Sequence, residues 1–186
     1  DFAVVADAVV ASGVREVRGS VVGDGSRHGD ATTVPSWHDR YLGVDVGALG
    51  ALSVNDGRAG YEDSPDEPTA ARPPGDPALL AAATLTTLLE QRGVVVAGEP
   101  AIGPAAPEAQ PLVQQPSPTM VEPVRELLTF SDNETAELIV RELGVWSGGT
   151  TAAGLDVVRT TLAEGGVDLT GVVLVDGSGL DTANRL

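Results

Sequence analysis

The chain of 186 residues carries 27 acidic against 11 basic side chains, a net charge of −16, and only 3% of its residues are aromatic. That charge argues against nucleic acid and against anionic membrane surfaces as partners, and the scarcity of rings predicts a core of Val, Leu and Ala. The absence of cysteine excludes disulfides, zinc–thiolate sites and thiol nucleophiles.

Length alone allows one domain or parts of two. No signal peptide is visible, and no apolar run approaches the ~20 residues that span a bilayer. All the basic residues are arginine. Any chemistry that needs a lysine therefore has to draw it from outside these residues.

In chain order, Phe2–Ser12 has the spacing of a short helix, with Gly13 as its stop. Arg15–Asp24 alternates and closes on Gly23-Asp24-Gly25-Ser26, which predicts one strand and a turn. Arg27–Val44 is polar and irregular, a surface loop anchored by Trp37 and Tyr41. Its His28 and His38 have no third ligand at helical or strand spacing, so no metal site is expected.

Val46–Asn55 is expected to form a strand, followed by an Asp56-Gly57 turn. Arg58–Pro77 is rich in Pro, Gly and acid and predicts a long surface loop. Asp76-Pro77 combines an N-cap with proline at the first helical position. A helix should follow over Ala78–Gln91, with Leu79, Leu80, Leu85, Leu88 and Leu89 as its apolar face. Gly93 stops it before a short strand, Val94–Val96.

The Pro- and Ala-rich stretch Glu99–Pro118 marks the main composition boundary. It divides an α/β-type region, residues 1–108, from a mainly helical one, residues 109–186. Leu112–Gln114 is read as a brief strand. Helices are expected over Thr119–Leu128, Glu134–Leu143 and Leu155–Ala163. A short strand, Val172–Val175, should run into Asp176-Gly177-Ser178-Gly179.

The polar triplet Ser131-Asp132-Asn133 lies wedged between two apolar-faced helices. S-D-N-E has capping-box spacing, in which Ser131 would accept from the Glu134 N–H and Glu134 would reach back. Yet Asp132 is redundant if Ser131 caps, and Asn133 gains little in a first turn. The alternative is that Asp132 and Glu134 cap while Ser131 and Asn133 face a ligand. Asp176-Gly177-Ser178-Gly179 reads as an Asx-type turn. It is not a dinucleotide fingerprint, because it lacks the third glycine. No phosphate loop supports a nucleotide-binding reading of the first half.

S-D-N, then A-E-L and R-E-L-G, then D-G-S-G-L at Asp176–Leu180, resembles the DacB-type (penicillin-binding protein 4 type) D-alanyl-D-alanine carboxypeptidases, the penicillin-binding proteins of peptidase family S13. Residues 2–26, 46–58, 76–98 and 116–186 follow the family's order. S-D-N is one of three motifs in such enzymes, beside S-x-x-K and K-T-G. Without lysine, the chain contains neither of the other two, so the resemblance implies a fragment that is inactive alone.

The resemblance implies an α+β fold. It would comprise part of a penicillin-binding transpeptidase-like (β-lactamase-like) domain in residues 109–186 and part of its inserted α/β domains in residues 1–108. It implies a serine carboxypeptidase or endopeptidase acting on peptidoglycan stem peptides through an acyl-enzyme. It also implies β-lactam binding, an extracytoplasmic location, and neither metal nor cofactor. Ser131 would pass a proton between nucleophile and leaving amine, and the Asn133 amide would donate to the substrate carbonyl. Asp24 would meet the substrate's free amino group, although G-D-G-S also reads as a plain turn. Many members follow D-G-S-G-L with Ser-Arg. Here Asp181-Thr182 stands there, which puts selectivity for a diaminopimelate-type side chain in doubt. A non-catalytic peptidoglycan-binding or scaffold module of the same fold is the alternative.

Overall fold

The computed structural model describes residues 2–57 and 75–186. In its first region, helix α1 (Phe2–Ala11) ends at Gly13, whose φ of 97° needs a residue without Cβ. The segment expected as one strand forms two short ones, β1 (Glu16–Val17) and β2 (Val22–Gly23). After helix α2 (Pro77–Glu90) come β3 (Val95–Val96) and β4 (Ala101–Ile102). β1 pairs in parallel with β3 and β2 with β4, with Glu16 opposite Val95 and Val22 opposite Ala101. Parallel pairing requires a crossover, and α2 supplies it. β4 had no alternating pattern to announce it. Only its pairing defines it.

The stretch that divides β1 from β2 still bonds to its neighbour, with Gly98 N donating to Gly19 O at 3.0 Å. Backbones approach so closely there that a Cβ on Gly98 would lie 2.6 Å from Ser20 Oγ. α1 and α2 cover these strands through Ala6, Leu89 and Val94, with Val9, Val17, Leu85 and Val96 packed around them.

Asp76 caps α2 as expected, accepting from Ala78 N at 2.9 Å and Leu79 N at 3.1 Å, with Pro77 opening the helix. The buried face follows the leucine face read in the sequence only in part. Leu89 is buried and Leu85 and Leu88 pack on the core, but Ala78, Ala81, Ala82 and Thr86 are buried too and Leu79 is 40% exposed. The reason is proximity. A Cβ on Gly23 would sit 2.1 Å from Ala78 O, so only small side chains fit between α2 and β2.

The second region consists of α3 (Val121–Phe130), α4 (Asn133–Leu143) and α5 (Thr151–Glu164). α5 begins at Thr151 rather than Leu155 because Thr150 is its N-cap, accepting from Ala153 N at 3.1 Å. α4 and α5 meet at glycine. A Cβ on Gly154 would lie 1.8 Å from Val140 O, and one on Gly144 would lie 2.4 Å from Gly154 N.

Three expected strands are absent. Val46–Asn55 folds back as a loop, with Ala48 N donating to Gly57 O at 3.2 Å and with positive φ at Asn55, Asp56 and Gly57. Its Val46, Ala48 and Leu49 are buried all the same, so an apolar run that looked like a strand is a core-lining loop. Leu112–Gln114 pairs with no strand, and in Val172–Val175 only Val173 forms a bridge, antiparallel to Arg185. Most of the long Arg58–Pro77 loop lies outside the described residues. The loop anchor Trp37 is buried and joins Val34, Val46 and Leu49 in a second core, onto which Leu138 of α4 and Leu180 pack.

Candidate functional site

The joint between α3 and α4 shows which residue of the S-D-N triplet caps which helix. Ser131 is the C-cap of α3, in the left-handed conformation at φ 58° and ψ 49°, and its N–H donates to Leu127 O at 2.8 Å. It therefore does not cap α4. Asp132 does: Oδ1 accepts from Thr135 N at 3.1 Å, and Oδ2 accepts from the Thr135 hydroxyl at 2.5 Å. With the cap assigned to Asp132, the exposed Ser131 hydroxyl makes no hydrogen bond among the described residues.

Asn133 Nδ2 donates to Asp45 O at 3.0 Å, which fixes the amide plane against the loop before Val46. One N–H is used, and the amide's second N–H and its carbonyl make no hydrogen bond among the described residues. Glu134, read as half of a capping box, is 4% exposed and accepts from the Ser53 hydroxyl. Gly47 makes room for it, since a Cβ there would lie 2.7 Å from Glu134 Oε2. Ser53, which had no partner in view in the sequence, thus anchors the loop under the first turn of α4.

One turn beyond Asn133, Glu137 is fully buried, and its Oε1 accepts from Gly177 N at 2.7 Å and Ser178 N at 2.8 Å. The D-G-S-G turn therefore docks on α4. Asp176 closes that turn from within. Oδ1 accepts from Gly179 N and Asn184 Nδ2, and Oδ2 accepts from Asp181 N and from the indole of Trp37 at 2.8 Å. Burial pushes the Glu137 carboxyl up, with the Asp176 charge adding to it and the bonds from Ser178 and Gly177 opposing. Arg141, 2% exposed, donates to Ala31 O at 2.6 Å, and burial pushes its guanidinium down. Sequence reasoning gave Asp176 only its place in an Asx-type turn and gave Glu137 no role. The Glu137 signal was present: it stands four residues after Asn133, on the same face of α4.

Asp24 sits elsewhere. Its carboxylate accepts from Ser26 N at 3.0 Å and Ala105 N at 2.8 Å, and these bonds hold it below the usual carboxylate range. It lines a cleft of about 510 Å³ with Ser26, Leu49, Ala51 and Pro77, and neither Ser131 nor Asn133 lines that cleft. The segment carrying Asp24 meets the far end of α4. There Arg27 Nε donates to Glu142 Oε2 at 2.9 Å, and buried His28 stands 3.3 Å from the same oxygen. Roughly 15 Å of helix lies between the two ends of α4. Among the described residues no cluster of three or more His, Cys, Asp or Glu is placed to hold a metal, and no helix is long and apolar enough to cross a membrane.

Comparison with known proteins points to one family. Residues 62–186 match the model of the D-Ala-D-Ala carboxypeptidase 3 (S13) family. A D-alanyl-D-alanine carboxypeptidase from Actinomadura sp. (strain R39) is 38% identical over 121 residues, covering 62% of this chain and 22% of that protein. Carboxypeptidase DacB from Mycolicibacterium smegmatis (strain ATCC 700084 / mc(2)155) is 30% identical over 186 residues, covering 97% of this chain and 38% of that protein. The chain thus spans well under half the length of either relative. The crystal structure of penicillin binding protein 4 (dacB) from Haemophilus influenzae matches the fold with a TM-score of 0.81 at 15% identity, covering 98% of this chain and 54% of that one. The architecture is therefore the α+β fold of a penicillin-binding protein, and the chain belongs to the D-Ala-D-Ala carboxypeptidase 3 (S13) family.

Proposed function

We propose that the protein carrying this chain is a serine-type D-Ala-D-Ala carboxypeptidase or endopeptidase that cleaves peptidoglycan stem peptides through an acyl-enzyme, outside the cytoplasm. Residues 109–186 would contribute to its transpeptidase-like domain and residues 1–108 to an inserted α/β region. The observation that carries this reading is the division of labour at the triplet: Asp132 takes the cap, and the Ser131 hydroxyl is left exposed beside the Asn133 amide.

In this reaction a serine Oγ attacks the D-Ala–D-Ala carbonyl carbon, the C–N bond breaks, and the departing amine gains a proton. Water then cleaves the ester. The chain has no S-x-x-K lysine, so the nucleophile would come from another part of the protein. Ser131 would relay the proton to the leaving nitrogen. The free Asn133 N–H would hold the peptide carbonyl in place. Asp24 would meet a cationic group further along the substrate, and Thr182 would replace a charged contact to the stem peptide by a neutral one. A β-lactam would acylate the same serine.

The test is fluorescent penicillin labelling of the full-length gene product. Covalent label is expected, and Ser131→Ala should slow its formation by about 10²- to 10⁴-fold, the usual contribution of a positioned proton-transfer group. A full-length protein that takes no label would refute the enzyme and leave a peptidoglycan-binding module. Labelling of the isolated 186-residue chain would refute the mechanism, because it would need no lysine.

A further inference from the structure

We propose that Glu137 is a positioning residue for the Ser131–Asn133 triplet, acting by locking the D-G-S-G turn to the first turns of α4; this rests on the carboxypeptidase reading above. Glu137 touches no reacting atom. Its carboxylate is fully buried, and one oxygen collects the N–H groups of both Gly177 and Ser178 at 2.7 and 2.8 Å. The chain brings this turn back from a segment 40 and 41 residues away, so the contact is a tertiary clamp and not a local cap.

The clamp continues through buried atoms to the triplet. Asp176 in the same turn accepts from the Trp37 indole at 2.8 Å. Trp37 packs in the cluster with Val46 and Leu49. Asp45, next to Val46, supplies the carbonyl that holds the Asn133 amide at 3.0 Å. Glu137 and Asn133 share one helix face. Asn133 is therefore fixed from two sides, by its own helix and by a loop that leans on the turn Glu137 holds. A cavity of solvent-sized slack is absent along this route at Gly177, where a Cβ would lie 2.6 Å from Val140 Cγ2. A shift of the turn is thus transmitted to α4 rather than absorbed. The second Glu137 oxygen makes no hydrogen bond among the described residues, so the side chain's role is the double acceptance alone.

The experiment uses the full-length protein with fluorescent penicillin. It reads two quantities separately: the labelled fraction at saturation and the second-order acylation rate constant. Glu137→Ala removes both acceptors, and Glu137→Asp withdraws them by one methylene while keeping the charge. Both should lower the rate constant about ten- to a hundredfold, the scale of an ångström-sized misplacement, with the labelled fraction of folded protein unchanged. Glu137→Gln keeps the accepting oxygen and should stay within about threefold of wild type, since its oxygen can still accept both bonds. A merely structural role predicts a smaller labelled fraction with a normal rate constant, and that outcome overturns the proposal. If Glu137→Ala yields no folded protein, Glu137→Asp against Glu137→Gln decides. Equal rates in those two also overturn it. Failure of the wild-type protein to label would instead overturn the carboxypeptidase reading, and this proposal with it.

Discussion

Replacing Ser131 by glycine separates its two roles, because each role predicts the opposite sign. Ser131 holds φ 58° and ψ 49°, a conformation that costs a residue bearing Cβ about 1–2 kcal/mol. The cap itself is a backbone bond from the Ser131 N–H to Leu127 O, so glycine keeps it. The hydroxyl makes no hydrogen bond among the described residues, so its loss costs the fold nothing. Against the relieved strain stands the extra freedom of glycine in the unfolded chain, about 0.4–1 kcal/mol. The net expectation is a gain of about 0.5–1 kcal/mol, or roughly 1–4 °C in Tm for a chain of this size. Urea denaturation followed by circular dichroism measures it. In the full-length protein the same variant should lose acylation about as severely as Ser131→Ala. A Ser131→Gly chain less stable than wild type would refute the strain argument, and one acylated at the wild-type rate would refute the proton relay.

Gly154→Ala should destabilise the chain by about 1–3 kcal/mol, since the added methyl would lie 1.8 Å from a backbone oxygen that cannot swing away; a gain in denaturation midpoint, as helix propensity alone would give, would refute the packing. Asp76→Ala should cost about 1 kcal/mol by leaving two N–H groups of α2 uncapped, read in the same assay. The seam between residues 27–28 and α4 should weaken in acid. The Arg27 bond depresses Glu142, so its contribution is present above its unfolded value near 4.5 and fades as pH falls through the lower folded value. Burial depresses His28, so its contribution is present above about 6.5 and likewise fades as pH falls. Glu142→Gln should flatten the lower limb of stability against pH, and an unchanged limb would refute that assignment. Glu137, raised by burial, has the opposite sign: its contribution is lost as pH rises through its folded value, so Glu137→Gln should gain relative stability towards neutral pH.

What the sequence made legible was local. The Asp76-Pro77 start of α2, the glycine stops and the paired helices around S-D-N follow from residues within a turn of one another. The family resemblance named Ser131 and Asn133, and the structure places both at the α3–α4 joint. What escaped depends on tertiary neighbours. Val46–Leu49 carries a strand's apolar residues, but Gly57 and the Glu134–Ser53 bond fold it into a loop. The buried face of α2 is alanine in its first turns, where β2 lies too close for leucine, and passes to Leu89 only towards its end. Glu134 looked like half of a capping box because spacing cannot show that Ser53 and Gly47 wait beneath it. Glu137 was unassigned because its partners lie far along the chain.

The site's frame also departs from what a charge of −16 suggests. Buried carboxylates usually require a cation; Asp176 is instead met by backbone N–H groups, an indole and an amide, while Glu137 adds the charge of buried Arg141, four residues on, to its two backbone N–H bonds. The buried Arg141 itself donates to the carbonyl of Ala31 and to the Thr151 hydroxyl. Three arginine–carboxylate pairs are instead peripheral: Asp7–Arg92 ties α1 to the turn after α2, Arg27–Glu142 ties the early loop to the end of α4, where buried His28 also meets Glu142, and Arg18–Glu16 lies on the surface. Salt screens exposed pairs and leaves short dipolar bonds in a buried turn almost untouched. The seams that carry Asp24 should therefore loosen with ionic strength while the clamp behind Ser131 and Asn133 holds. In this architecture the α3–α4 joint is braced by buried bonds that salt does not screen, one set of them to the titratable Glu137, and salt sensitivity is left to the walls around it.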